Sequence, residues 1–325
     1  MNGLDFLIKR LGKAAFVVLG VVVLNFLLIH LAPGDPATVI AGESGAGDEL
    51  FLAQLRQQFG LDKPLYVQLW LYLKGVLTLN MGFSYRNNVP VSELILDRLP
   101  ATLLLSGSAF VFSLVLGVLL GALAAVRRGK VTDSLIMSGA LLFYATPLFW
   151  LSLMGMLVFS IRLDWLPPFG MESVGAGYTG LPRVLDVASH MVLPVVTLGL
   201  FFTAIYTRLT RASMLEVASL DFVKTARAKG VPARQVTRRH VLRNAVLPVF
   251  TFAGIQAGQI LGGAVLTETV FAWPGIGRLM FEALVQRDYP VLLGVFLVTS
   301  VMVVLVNLLT DVLYRFIDPR IEART

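Results

Sequence analysis

The sequence contains no cysteine and only three histidines among its 325 residues. Without thiols the chain cannot form a disulfide or a thiolate metal site, and cysteine usage leaves its redox compartment open. Charged residues are also scarce, at 14% of the chain, whereas soluble domains carry about 25%. With 56% hydrophobic residues and a mean hydropathy of +0.78, the chain lacks the polar side chains needed to cover a water-facing surface. The composition indicates a polytopic membrane protein.

The short motifs that mark catalytic and nucleotide sites are missing as well. There is no HExxH, no CxxC and no GxxxxGK[ST], and the histidines are scattered at His30, His190 and His240. The chain therefore cannot hold ATP with a phosphate loop of its own. We expect no enzymatic activity, no metal and no bound cofactor, so any energy for work must come from a partner.

Six apolar runs without Asp, Glu, Lys or Arg approach or exceed the roughly 20 residues that cross a hydrocarbon core. They are Ala14–Leu31, Ala101–Val126, Ser134–Ile161, Met191–Tyr206, Leu247–Thr267 and Val291–Thr310. One charge near the middle of a span costs about 2.5–3.5 kcal/mol, so the absence of charges is informative. The sequence predicts an all-α membrane protein with six transmembrane helices.

The basic residues orient these spans. Eighteen Lys and Arg lie in the N-terminus, the 127–133 turn, the 207–246 loop and the C-terminal tail, whereas nine are spread over the other, longer loops. By the positive-inside rule, the first group is cytoplasmic. The predicted order is a cytoplasmic N-terminus (1–13), spans 14–31, 101–126, 134–161, 191–206, 247–267 and 291–310, external segments 32–100, 162–190 and 268–290, a cytoplasmic loop (207–246) and a cytoplasmic tail (311–325). We expect a single transmembrane domain.

The external segment 32–100 is predicted to be ordered. It opens with a Pro/Gly turn at Pro33–Pro36 and then shows helical periodicity around Leu50–Phe59 and Leu65–Leu79. A simple cap over the membrane domain is one interpretation, and a docking surface for an external partner is the other.

The cytoplasmic loop contains the most basic stretch of the chain. Residues Asp221–Pro248 carry seven Lys or Arg and one acidic residue. Ser219 and Asp221 are plausible N-caps, and the residues up to Gly230 favour a helix that this glycine ends, with positive φ. Pro232 resets the chain before a second helix that begins at Ala233. Either these charges anchor the loop to anionic lipid, or the first helix docks into a groove on a partner.

Several stretches resemble the permease subunits of ABC importers. The run DFVKTARAKG followed by NAVLP is similar to the cytoplasmic EAA-type loop of that family. Other stretches resemble its dipeptide, oligopeptide and nickel branch: LAPGDPA (31–37), LNMGFSYRNNVPV (79–91), RLPATL (98–103), TRASMLEV (210–217), TETVFAWPGIGRL (267–279), RDYPV (287–291) and LYRFIDPR (313–320). The literal EAA triplet is replaced by TARAKG, so Gly230 is the surest position carried over.

The resemblance implies a type I importer fold in a bacterial inner membrane and a set of partners. These are a second homologous permease, two cytoplasmic ATPase subunits or domains that use ATP and Mg²⁺, and an external substrate-binding protein. Membrane lipid surrounds the chain, and no nucleic acid is involved. The substrate would be a peptide, with nickel or another solute as the alternative. Coupling to the ATPase is expected from Asp221, Phe222, Lys224, Thr225, Ala226, Arg227, Ala228, Lys229 and Gly230, with Phe222, Ala226 and Lys229 on one face.

An ion-coupled secondary transporter is the main alternative from another class. Such proteins place ionisable residues inside their spans, whereas the larger polar side chains in these spans are mainly the amides of Asn and Gln. Residues that could line a translocation path are Gln256, Gln259, Glu268, Trp273 and Gly275. The glutamines are also suited to interhelical hydrogen bonds, and the Trp273–Gly277 stretch to a structural turn.

Overall fold

The structure is a computed structural model that describes residues 3–31, 56–57, 62–78, 80–84 and 86–317. Side chains are described for residues 12–27 and for the described residues between 56 and 310, except residue 263. Helix α1 spans Gly3–Leu31 and α2 spans Leu65–Leu77. Strands β1 (Phe83–Ser84) and β2 (Val89–Pro90) pair antiparallel. The remaining helices are α3 (Val91–Val126), α4 (Val131–Ala145), α5 (Leu148–Gly155), α6 (Leu181–Ala218), α7 (Asp221–Ala228), α8 (Ala233–Gln235), α9 (Arg243–Val270), α10 (Ile276–Gln286) and α11 (Tyr289–Ile317).

Two segments of π-helix adjoin these helices, Met156–Arg162 after α5 and Val236–Leu242 between α8 and α9. The predicted all-α class is confirmed. The helix predicted around Leu65–Leu79 is α2, whereas most of the one predicted around Leu50–Phe59 lies outside the described residues.

Four helices within the described part of the chain are long and apolar enough to cross a membrane: Val91–Val126, Leu181–Ala218, Ala233–Val270 and Tyr289–Thr310. A fifth span results if α4 and the stretch Leu148–Arg162, which is α5 with the π-helix that follows it, are counted as one. The first predicted span, Ala14–Leu31, falls inside α1, in which Gly12–Leu27 is a shorter apolar stretch. The count of six therefore stays a prediction.

The run Ser134–Ile161 forms two helices rather than one. Helix α4 ends at Ala145, and the axis of Leu148–Arg162 is bent by 104° from it. The residue before a proline avoids the α region, and Thr146, which precedes Pro147, is extended at φ −78° and ψ 127°. The Thr146 hydroxyl donates to the Leu142 carbonyl at 2.7 Å, which satisfies one acceptor at the end of α4.

The fourth apolar run, Met191–Tyr206, is the central part of a much longer helix. Helix α6 begins at Leu181, with Pro182 in its first turn, and continues to Ala218. Its 38 residues correspond to about 57 Å at 1.5 Å per residue. The helix therefore includes the last residues of the predicted external segment 162–190 and the first residues of the predicted loop 207–246.

The chain divides into two compact units, one of residues 1–102 with 274–305 and one of residues 103–273 with 306–325. In the first unit, strand β1 and helix α3 are bonded to α10 and to the residue that precedes α11. The Ser84 hydroxyl donates to the buried Asp288 carboxylate, and the Thr102 hydroxyl accepts the Ile276 N–H at 2.8 Å. Arg98 pairs with Glu282 at 3.2 Å.

In the second unit, α3 and α9 pack on α6. A buried apolar cluster joins them: Ala109, Leu198, Phe202, Tyr206, Val249, Ala253, Ile260 and Ala264. Two glycines of α3 permit close contact with α6, because a Cβ at Gly117 would lie 2.5 Å from Tyr206 Cβ and one at Gly121 would lie 2.6 Å from the Thr207 carbonyl oxygen. Small residues at this spacing let helix backbones approach closely.

Candidate functional site

The basic stretch begins with α7, an eight-residue helix that ends as the sequence predicts. Gly230 has φ +76°, a left-handed conformation that glycine adopts without a Cβ penalty. Its N–H donates to the Arg227 carbonyl at 3.0 Å, and the Val231 N–H donates to the Ala226 carbonyl at 3.2 Å. This pair of bonds is the Schellman motif. The second helix starts at Ala233 after Pro232, which is also as predicted.

The start of α7 differs from the prediction. Leu220 occupies the N-cap position, with extended backbone and no side-chain cap. The Ser219 hydroxyl instead donates to the Glu216 carbonyl at the end of α6. Asp221 lies in the first turn of α7, where its negative charge interacts favourably with the helix dipole.

One side of α7 is buried against the chain itself. Val223 is fully buried and Ala226 nearly so, in a cluster that we call the α7 core: Met214, Val223, Ala226, Val236, Val241 and Ala245. Burying a valine side chain stabilises by about 1.5–3 kcal/mol. An isolated helix shorter than about 12 residues is marginal in water, so the α7 core keeps this eight-residue segment helical.

The α7 core connects α7 to two long helices. Met214 belongs to α6, and Ala245 belongs to the first turn of α9. The two helices are also joined by a hydrogen bond from the Ser213 hydroxyl to the Ala245 carbonyl at 2.9 Å. Val223 and Ala226 of α7 therefore share one close-packed cluster with residues of both α6 and α9.

The other side of α7 is exposed. Of residues 221–229, only Val223 and Ala226 are buried, and Phe222 is 43% exposed. The exposed set, which we call the outer face of α7, is Asp221, Phe222, Lys224, Thr225, Arg227, Ala228 and Lys229. The Lys224 ammonium pairs with Asp221 at 2.9 Å, but such an exposed pair adds little stability. An exposed aromatic ring beside several cations is suited to binding another protein.

The expectation that Ala226 shares the outer face with Phe222 is wrong. Ala226 is 7% exposed and packs in the α7 core. The hydrophobic pair Val223 and Ala226, three residues apart, defines the buried side. That spacing is visible in the sequence and could have identified Val223, which the sequence analysis did not select.

The later arginines of the loop lie outside the α7 core. Arg238 and Arg239 belong to the π-helical segment Val236–Leu242, and both are exposed, as is Arg234 of α8. Val236 and Val241 of the same stretch are buried in the α7 core. In this stretch the arginine side chains are therefore exposed, while the two valines pack in the α7 core.

The five candidate path residues differ in exposure. Gln259 of α9 is exposed, whereas Gln256 is buried. Glu268 and Trp273 are fully buried, and the Trp273 N–H donates to the Glu268 carbonyl at 2.8 Å. Gly275 is buried at the N-cap of α10. The left-handed residue of the turn after α9 is Ala272, at φ +49°.

Comparison with known proteins connects this arrangement to a family. The sequence profile described as "Binding-protein-dependent transport system inner membrane component" matches residues 117–323, and the profile of the N-terminal part of such membrane components matches residues 3–106. The dipeptide transport system permease protein DppB of Escherichia coli strain K12 is 40% identical, covering 98% of this chain and 99% of that protein. The glutathione transport system permease protein GsiC of Salmonella typhimurium strain LT2 is 41% identical, with the same coverage.

Solved structures share the fold at low sequence identity. A crystal form of the MetNI methionine ABC transporter in inward facing conformations superposes with a TM-score of 0.56 at 17% identity, covering 69% of this chain and 96% of that chain. An amino acid ABC transporter crystallised with histidines gives a TM-score of 0.52 at 16% identity, covering 69% and 94%.

These matches run along nearly the whole chain and favour an importer permease over an ion-coupled secondary transporter. They place the protein in the inner membrane as a multi-pass subunit, and they imply partners that hydrolyse ATP and bind substrate. The resemblance predicted from the short motifs is confirmed. The chain belongs to the family of binding-protein-dependent transport system inner membrane components, the permease subunits of ABC importers.

Proposed function

We propose that this protein is a permease subunit of a peptide importer and that α7 is its coupling helix. The curated relatives that match over their full length are permeases for dipeptides and glutathione, which supports a small peptide as the substrate. With a second homologous permease, the chain would enclose the translocation path. ATP would be hydrolysed by the partner ATPases, and an external binding protein would deliver the peptide.

The observation that carries the coupling role is the two-sided construction of α7. Its outer face offers Phe222 and several cations to a partner, while its buried side is fixed in the α7 core between α6 and α9. A helix attached to lipid needs charge alone. A helix that must transfer movement also needs a rigid attachment to the membrane-spanning helices, and α7 has one.

For the translocation path, we propose Gln259 as the residue of the candidate set that faces the substrate. It is exposed on α9, whereas Gln256, Glu268, Trp273 and Gly275 are buried in the chain. The buried members would support the helices instead, since polar residues inside membrane proteins commonly hydrogen-bond between helices.

The orientation follows from the charge distribution. Both termini, the 127–133 turn and the 207–246 loop that contains α7 would be cytoplasmic, because these segments hold eighteen of the 27 Lys and Arg residues. Helix α7 would then face the ATPase, and the segment 162–190 would face the binding protein.

The proposed function is tested on the assembled importer in proteoliposomes. Phe222→Ala, alone and combined with Arg227→Gln, should reduce co-purification of the ATPase about tenfold or more, because an aromatic anchor at an interface commonly contributes this much. Uptake of radiolabelled L-alanyl-L-alanine should fall in parallel. The matched control is Arg238→Gln with Arg239→Gln, which removes two exposed cations of the same loop and should have little effect.

Two results would contradict the proposal. If Phe222→Ala with Arg227→Gln retained the ATPase and imported the dipeptide normally, α7 would not be the coupling helix. If the control pair lost the ATPase to the same extent, the loop would bind through diffuse charge rather than through α7.

A further inference from the structure

A partly buried ion pair joins α4 to α6 near the α7 core. The Arg211 guanidinium binds the Asp133 carboxylate with two hydrogen bonds, Nε to Oδ1 and Nη2 to Oδ2, each 2.7 Å long. Asp133 Oδ2 also accepts the Gly129 N–H at 3.0 Å. Asp133 is only 5% exposed. Two parallel bonds fix the mutual orientation of the groups, which a single contact does not.

Arg211 belongs to the same stretch of α6 as Met214, the residue that α6 contributes to the α7 core. It lies one turn before Met214, which belongs to the α7 core together with Val223 and Ala226 of α7. Ser213, between them, is bonded to the start of α9. Arg211 and Met214 are three residues apart and are therefore neighbours on the helix surface. This part of α6 thus carries both a contact of the α7 core and the bond to the carboxylate of α4.

Helix α4 is held along α6 at its other end as well. The Tyr144 ring stacks on Phe201 of α6, with centroids 5.4 Å apart and planes 17° from parallel. The Arg208 guanidinium lies over the same Tyr144 ring, 5.9 Å from its centroid. Pairing of residue 133 with 211 and of 144 with 201 makes the two helices antiparallel neighbours. Helix α4 then ends at the 104° bend before α5.

We propose that Asp133 and Arg211 are positioning residues that make α4 move together with α7, an inference that rests on the coupling role proposed for α7. Displacement of the outer face of α7 would act on α6 through Met214, and the ion pair would carry that displacement to the first turn of α4. The bent α4–α5 pair would thereby change position with each ATPase cycle. A flexible apolar contact at this place would allow α4 to lag behind.

An ion pair that is removed from water is weak evidence for a stabilising role. Replacing both members of a buried ion pair with apolar residues of similar volume is often neutral or stabilising, whereas removing one member is strongly destabilising. The decisive variant is therefore the double replacement Asp133→Leu with Arg211→Met, because it removes the two parallel bonds without leaving either charge unpaired. It also removes the acceptor of the Gly129 N–H, which Arg211→Lys leaves in place.

The measurement is the ratio of L-alanyl-L-alanine imported to ATP hydrolysed by the full importer in proteoliposomes, together with the amount of ATPase that co-purifies. The double variant should bind the ATPase and hydrolyse ATP as the natural protein does, yet import about fivefold less dipeptide per ATP, which is the lower end of typical coupling between sites. Arg211→Lys, which keeps the charge but not the two parallel bonds, should give an intermediate ratio.

The control is a second ion pair of the same unit that does not touch the α7 core. Arg183 pairs with Glu172 at 2.6 Å, and both side chains are partly exposed. Arg183→Met with Glu172→Leu should leave the ratio unchanged.

An unchanged ratio in the double variant would overturn the inference. Should that variant fail to assemble, an unchanged ratio in Arg211→Lys would overturn it equally. Failure of the coupling role itself gives a different result, because Phe222→Ala with Arg227→Gln would then keep both ATPase binding and import.

Discussion

Gly230 is the residue on which the ending of α7 depends most directly. No neighbouring atom lies within 4 Å of a Cβ added there, so its φ of +76° is the constraint. A left-handed residue with a branched side chain costs about 1–2 kcal/mol, whereas asparagine tolerates this region. A substitution at Gly230 should therefore act through its backbone conformation and not through a steric clash with neighbouring atoms.

We expect Gly230→Val to weaken ATPase binding or to lower dipeptide import per ATP, while the permease remains inserted and abundant. Gly230→Asn is the matched control and should keep most of the activity. Import and ATP hydrolysis by reconstituted complexes, with membrane abundance by immunoblot, distinguish the two variants. Equal behaviour of valine and asparagine would show that the Schellman ending is not needed for coupling.

Residue-level reasoning from the sequence identified the glycine and missed the ion pair. The pattern of a helix followed by Gly and Pro has a local cause, so Gly230 and the restart at Ala233 are visible in the sequence. Asp133 and Arg211 are 78 positions apart, and no local rule connects them. Ala226 was assigned to the wrong side because the identity of the surface that buries α7 depends on the packing of α6 and α9.

At the scale of elements, the contact between α3 and α6 depends on the absence of side chains at Gly117 and Gly121. A Cβ at Gly121 would lie 2.6 Å from both the Thr207 carbonyl oxygen and Thr210 Cβ. Backbone atoms cannot rotate away as a flexible side chain can, so the helices would have to separate. Overpacking of this kind typically costs about 1–3 kcal/mol.

Gly121→Ala should therefore lower the thermal stability of the detergent-purified permease and reduce its abundance in membranes. Gly107→Ala is a suitable control in the same helix, because no atom lies within 4 Å of the added Cβ. Alanine also has the higher helix propensity, so the control variant should be as stable as the natural protein or slightly more. Comparable losses in both variants would contradict the close-contact interpretation.

The elements show why apolar runs underestimate helices. Hydropathy predicted a span at Met191–Tyr206, but helix α6 continues to Ala218. Arg208 and Arg211 end the apolar run, yet arginine does not disfavour a helix. The reverse holds at Thr146 and Pro147, where an uninterrupted apolar run contains a 104° bend. The hydropathy of a segment indicates whether it lies in an apolar environment. Whether the segment stays helical depends on the backbone preferences of its residues, such as proline.

At the scale of the whole molecule, the distribution of Lys and Arg predicts the side of the membrane on which each loop lies. Reporter enzymes fused after Arg128 and after Arg234 should be active in the cytoplasm. Reporters inserted within 43–49 and within 172–178 should be active outside. The two pairs serve as controls for each other, and an external signal at Arg234 would place α7 away from any cytoplasmic ATPase.

The class of the molecule was predictable from the sequence to a greater extent than its span count. Composition and the ordered series of short motifs were sufficient for an α-helical ABC permease, and the family matches confirm that result. The number of spans is a weaker inference, since the described helices support four or five. The positions of substrate-contacting groups depend on long-range packing, which the periodicity of a sequence does not record.

The dependence of α7 on a small buried cluster has a consequence for the life of the subunit before assembly. Opening the α7 core would release a segment of eight residues with little helical stability of its own. Lys224, Arg227 and Lys229 lie there within reach of a protease, and cleavage follows such local opening. Limited digestion with trypsin should therefore cut the unassembled permease first after Lys224, Arg227 or Lys229, and bound ATPase should protect these sites. A coupling helix built in this way would also mark orphan subunits for removal.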